Sequence, residues 1–180
     1  LTEISFIPDF KRFGMKGYTE DVLHLFYKYV IDVSMLTGVN VYLNGQKIKY
    51  SSLKEYAQLY IDEDVEDILY TKTQSCEVLL TPSNGYRTIS FVNGIHTSKG
   101  GKHVESWSNT LFKPLLDKFN KKDKPQIVIK DIKNFFMLFV KATVINPEFE
   151  SQSKEYLEAP DVPSKVTPKL INTIMSWSVA

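Results

Sequence analysis

Gln152, Ser153 and Lys154 present an amide, a hydroxyl and an ammonium on successive residues. A compact cation with hydrogen-bonding neighbours suits the oxygens of a phosphate. These residues follow Asn146-Pro147, a turn signal in which the proline ring pushes Asn146 toward extended geometry. Before the turn runs an apolar tract, residues 135–145. A buried strand is therefore expected to end there and feed an exposed loop. Composition alone favours a solvated polar loop over a phosphate contact. Lys99-Gly100-Gly101 is a second candidate for anions, because a loop entering a helix points backbone N–H groups outward. It lacks the spacing and the Lys-Ser/Thr pair of a P-loop, and on its own a flexible helix entry is the plainer reading. Lys118, Lys121, Lys122 and Lys124 crowd one stretch, with Asp117 and Asp123 diluting their field. They are either a solvated tip or a sequence-independent contact with nucleic-acid phosphates.

Other chemistry finds little support. His24, His96 and His103 are far apart, with no Cys or carboxylate at ligand spacing. The acidic residues 62–67 lack the glycine and spaced ligands of a calcium loop. No tyrosine has the neighbours that would activate it, and no Ser-His-Asp or Cys-His pair is suggestively spaced. The 180 residues are 43% hydrophobic and 13% aromatic, which fits one domain with a sizeable core. A net charge of +1 does not announce nucleic acid. Cys76 is alone, so there is no disulfide framework and a reducing compartment is the default. No apolar run approaches the roughly 18 residues of a membrane span. No signal peptide is visible, and the absent initiator Met suggests a piece of a longer chain.

The elements that must position these groups can be taken in order. Residues 1–7 alternate loosely and read as a strand closed by Pro8. Thr19 caps a helix with Glu20 and Asp21 at its positive end, an apolar stripe of Val22, Phe26, Tyr29, Val30, Val33 and Leu36, and Gly38 as its stop. Asn44-Gly45 between alternating runs signals a hairpin. Ser52 and Glu55 form a capping box for a short helix along Leu53, Tyr56, Ala57, Tyr60 and Ile61. Residues 76–80 and 86–92 read as strands of a second hairpin around Pro82-Ser83-Asn84-Gly85. Trp107, Leu111, Leu115 and Phe119 repeat at helical spacing, and Pro114 should kink or split that helix. Periodicity leaves residues 135–145 as helix or strand. Their aromatic and β-branched content, running into Pro147, selects a strand buried on both faces. Thr167 and Pro168 open a last helix lined by Leu170, Ile171, Ile174 and Trp177. The mixture is α+β, a mixed or mostly antiparallel sheet with helices on one face.

Four stretches, collinear across the chain, resemble type IIA DNA topoisomerases of the eukaryotic and large-virus branch. They are Pro8-Asp9 with Phe13 and Met15; Val41-Tyr42-Leu43-Asn44-Gly45; Phe91-Val92-Asn93-Gly94-Ile95-His96-Thr97-Ser98-Lys99-Gly100-Gly101-Lys102-His103-Val104; and Asn146-Pro147-Glu148-Phe149-Glu150-Ser151-Gln152-Ser153-Lys154-Glu155. The last is similar to the family's Gln-Thr-Lys loop, with Ser153 for Thr. The helix around Asp32 departs from the family's pattern, keeping only that aspartate.

The resemblance implies a transducer domain over 1–166, and over 167–180 the start of a C-terminal helix leading to the DNA-cleavage region. It implies a mixed four-stranded sheet with a left-handed βαβ crossover, as in the second domain of a small-subunit ribosomal protein, against the usual right-handed rule. Lys154 would act on the γ-phosphate of ATP, with Gln152 and Ser153 beside it. Lys118, Lys121, Lys122 and Lys124 would face DNA. ATP and Mg2+ would be bound mainly by an upstream Bergerat-type ATPase domain. The full enzyme would be a homodimeric isomerase without membrane contact, in the nucleus if cellular and in the host cytoplasm or nucleus if viral. The fragment alone would not be catalytic. The rivals are a standalone nucleic-acid-binding module of the same fold, and a dimer-linking domain of an inactive enzyme.

Overall fold

The structure, a computed structural model, describes residues 1–62, 65–120 and 126–177. Its centre is a mixed sheet of β3 (Leu69–Lys72), β4 (Cys76–Pro82), β8 (Phe136–Ala142), β5 (Arg87–Val92) and β6 (Ile95–His96), in that spatial order. β8 is antiparallel to β4 and parallel to β5. The parallel pair is joined through α3 (Lys102–Phe119) and α4 (Ile129–Lys133). The α+β class and mixed sheet are as expected, with the two-residue β6 as a fifth strand.

Alternation along the strands builds two cores, one on each face. Cys76, Val78, Leu80, Phe136, Leu138, Val140 and Val92 face Trp107, Leu111, Phe112 and Leu115 of α3, and Ile174 of α5 (Pro168–Ser176). Leu79, Met137, Phe139 and Phe91 face Ile31 and Met35 of α1 (Glu20–Thr37), and Leu53, Tyr56 and Ala57 of α2 (Leu53–Ala57). Helices thus cover both faces, which corrects the expectation of one. The apolar tract required this: β8 is buried along nearly its whole length and needs a cover on each side. Each large side chain so buried contributes about 1.5–3 kcal/mol.

The second hairpin does not form. β4 and β5 are separated by β8, and the turn between them hydrogen-bonds to the start of that strand instead. Ser83 N–H donates to Phe135 O and Gly85 N–H to Asn134 O, each at 2.8 Å. A strand apolar on both faces gains most in the middle of a sheet, so it displaces the local pairing. Residues 1–7 form no strand. The Asn44-Gly45 hairpin does form, between β1 (Tyr42–Leu43) and β2 (Gln46–Lys47). Thr19, Ser52 and Thr167 cap their helices as read. Pro114 leaves α3 a single helix of 18 residues.

The stripe read for α1 is corrected too. The helix buries Ile31, Asp32, Ser34 and Met35, and of the expected six only Val30 and Leu36 pack against the core. Asp32 is buried with partners, as a buried carboxylate must be. It pairs with Lys28 and accepts from Tyr56 Oη at 2.8 Å. Burial first, then Tyr60 and Asp32, push the Tyr56 hydroxyl far above its ordinary pKa. Leu23, Leu25, Phe26, Tyr27, Tyr29 and Val33 remain exposed.

Candidate functional site

A second, three-stranded sheet carries the candidate site. In it β10 (Tyr156–Ala159) pairs in parallel with β7 (Gly100–Gly101) and antiparallel with β9 (Glu148–Phe149). Gln152, Ser153 and Lys154 lie at the tip between β9 and β10. Asn146 adopts φ +50°, left-handed and not extended, a conformation that asparagine tolerates. Lys154 also has a positive φ, +59°, which is unfavourable for a lysine. Its N–H donates to Ser151 O at 3.0 Å, closing a tight turn. Ser151 Oγ and Ser153 Oγ are 2.8 Å apart. Gln152 and Ser153 are exposed and Lys154 is half-buried. The ammonium of Lys154 forms no ion pair with a described residue.

Three ties fix this loop to the start of α3. The first is the backbone pairing, Tyr156 against Gly100 and Leu157 against Gly101. Gly101, at φ +132°, lies so close that an added Cβ would stand 2.4 Å from both N and O of Leu157. The second is Glu155. Its carbonyl accepts from Lys99 N–H at 2.9 Å and its carboxylate from Ser98 Oγ at 3.2 Å, and it pairs with Lys99 Nζ at 3.0 Å. Lys99 first, and the two serines after it, hold the Glu155 carboxyl below its ordinary pKa. The third is Tyr156 Oη, which donates to Glu105 in the first turn of α3 at 2.6 Å. Lys99-Gly100-Gly101 is therefore a mount for the Lys154 loop.

The same segment is anchored from beneath. Asn93 donates from Nδ2 to Val144 O and accepts at Oδ1 from Val144 N–H, both at 2.8 Å, clasping the chain beyond β8 to the end of β5. Ser90, Thr97 and His103 form a buried polar chain, with hydroxyls 2.6 Å apart and Thr97 Oγ1 3.2 Å from His103 Nε2. Burial pushes the His103 imidazole down to about 4. Sequence reasoning assigned no work to Glu155, Tyr156, Glu105, Ser98 or Asn93. All but Tyr156 and Glu105 lie inside the two longer family segments, 91–104 and 146–155, which was the available signal.

Lys118 is exposed in the last turn of α3. Lys121, Lys122 and Lys124 lie outside the described residues. An apolar cavity of about 500 Å³, between Leu115, Phe119, Ile132, Phe136 and Trp177, lies toward that end of α3, away from the loop. Its lining offers a phosphate little, so the loop remains the candidate site.

The model of the family described as DNA gyrase B matches residues 39–178. The chain belongs to that family. Both signature segments of this gyrase B family member, 91–104 and 146–155, fall inside the match, and the type IIA topoisomerase resemblance read from them is shown. The DNA topoisomerase 2 of Invertebrate iridescent virus 6 is 33% identical over 187 residues, covering 98% of this chain and 16% of that protein. The ATPase region of Saccharomyces cerevisiae topoisomerase II superposes with a TM-score of 0.85 at 32% identity, covering 96% of this chain and 46% of that one. The ATPase and transducer domains of DNA topoisomerase II from Balamuthia mandrillaris give 0.80 at 26% identity, covering 93% and 45%. The chain thus spans about a sixth of the length of the viral relative.

Proposed function

We propose that this chain is the transducer domain of an ATP-dependent type IIA DNA topoisomerase, spanning 1–166 with 167–180 leading toward a DNA-cleavage domain. The observation that carries the reading is the mounting of Lys154. Its loop is tied to α3 by its neighbours, while its own ammonium pairs with no described carboxylate. ATP with Mg2+, bound mainly by an upstream Bergerat-type ATPase domain, supplies the γ-phosphoryl group. The donors left free at the tip fit phosphate oxygens: one ammonium and one amide, with the two serine hydroxyls engaged toward Glu155 and the Glu155 charge balanced by Lys99. Among the described residues no three His, Cys, Asp or Glu gather as a metal site.

Lys154 sets a positive charge against those oxygens, and Gln152 donates an amide N–H beside it. Both contacts strengthen as negative charge grows on the transferring group. When phosphate leaves, Lys154 loses the partner that distinguishes the ATP state, and the loop and α3 can take a second position against the neighbouring domain. α5 carries that movement onward. Lys118, with Lys121, Lys122 and Lys124, contacts DNA phosphates. The whole enzyme is a homodimer that passes one duplex through a break in another, in the nucleus if cellular and in the host cytoplasm or nucleus if viral. In the full-length enzyme Lys154→Ala lowers ATP turnover on the order of 10²-fold, the scale of losing one charge-stabilising group. Unchanged turnover would remove Lys154 from the mechanism.

A further inference from the structure

We infer that Glu155 is the positioning residue of the Lys154 loop, holding it through Lys99 and Ser98 in the geometry that meets an anion. The inference rests on the phosphate-reading role proposed for Lys154 and adds the part that aims it. Glu155 joins two loops that are distant in sequence. From one it takes Lys99 Nζ at 3.0 Å, Ser98 Oγ at 3.2 Å and Lys99 N–H at 2.9 Å. From the other, its Oε2 accepts from Ser153 Oγ at 3.2 Å, and Ser153 in turn touches Ser151. The turn enclosed by these contacts contains Lys154 in its left-handed conformation.

A residue held at an unfavourable φ keeps it only where its surroundings over-determine it, and such residues gather at functional sites. The contacts around Glu155 provide that constraint on the C-terminal side of the turn. Stabilising the fold is the weaker explanation of this cluster. The side chains of Lys99 and Glu155 are 60% and 40% exposed, and exposed pairs add little stability. Their orientation also separates the two lysines by role. Lys99 is occupied with Glu155, so Lys154 is left to meet an outside anion. Without the Glu155 carboxylate the loop would keep its backbone pairing and the Tyr156–Glu105 bond but lose the contacts nearest Lys154, and two unpaired ammoniums would stand in the same cluster.

The test uses the full-length enzyme with Glu155→Gln, Lys99→Met, the double variant and Lys154→Ala. ATP turnover, KM and thermal unfolding are measured for each. Glu155→Gln and Lys99→Met should each lower kcat by about 10-fold, the scale of a displaced catalytic group. The double variant should be no worse than either single, because both break one tether. Melting temperatures should stay within about 2 °C of wild type, as for any exposed pair. Multiplying losses in the double variant, or unchanged kcat in both singles with Lys154→Ala impaired, overturns the positioning role alone. Unchanged kcat in Lys154→Ala overturns the phosphate reading beneath it. A fall in melting temperature parallel to the loss of kcat would make Glu155 structural and also overturns the inference.

Discussion

At the scale of single residues, the signature segment 91–104 is mostly architecture. Gly101 accepts no side chain: a Cβ there meets the Leu157 backbone at 2.4 Å and φ is +132°. Gly101→Ala should destabilise the chain by about 3 kcal/mol, through backbone strain and the opened β7–β10 pairing. Urea unfolding measures it, and a loss below about 1 kcal/mol would mean that the close approach is absent. His103 adds a pH dependence. Its folded pKa is about 4 against an ordinary 6.5, because burial disfavours the charged ring. Above the ordinary value both states are neutral and the group contributes no slope. Between there and about 4 the unfolded chain binds a proton that the folded chain does not. Stability therefore falls as pH drops through that window, by roughly 3 kcal/mol in full. His103→Gln should remove this component, so the gap between variant and wild type must change with pH. A constant gap would contradict the assignment.

At the scale of elements, α3 is the member to which both candidate contacts attach. Its first turn holds the Lys154 loop through Glu105, directly after the Gly101 pairing of β7, and its last turn carries Lys118. Its length of 18 residues puts these ends roughly 25 Å apart at the helical rise. Reversing the charges of Lys121 and Lys122 should weaken DNA-stimulated ATPase in the full enzyme and flatten its salt dependence, since the slope scales with the number of phosphates neutralised. An unaltered slope returns that stretch to a solvated tip.

At the scale of the whole molecule, the two faces of the central sheet are closed, but α1 is not. Leu23 and Val33 are 50% and 48% exposed, beside Leu25, Phe26, Tyr27 and Tyr29. Large exposed apolar side chains of this kind promote association. Replacing Leu23 and Val33 with Gln should leave the unfolding midpoint of this chain nearly unchanged, within about 0.5 kcal/mol, because neither side chain is in the core. The same pair should raise the concentration at which the chain aggregates. A large loss of stability would place the face inside the fold.

What the sequence determined by itself was whatever a few neighbouring residues can decide. Caps at Thr19, Ser52 and Thr167, the Asn44-Gly45 turn and the strand character of residues 136–142 all rest on contacts within a turn or on one apolar run. The Gln152 to Lys154 tip was legible as a polar turn after Asn146-Pro147, and the family through residues 91–104 and 146–155. Tertiary structure alone decided who pairs with whom. It put β8 between β4 and β5, turned Ile31 and Met35 of α1 inward in place of Phe26 and Val33, and made a strand of two glycines whose partner lies 56 positions away, Gly100 beside Tyr156. The reason is range: propensities and caps act over a few residues, whereas burial is settled by the whole chain at once, and a strand apolar on both faces takes the centre whatever its neighbours in sequence prefer.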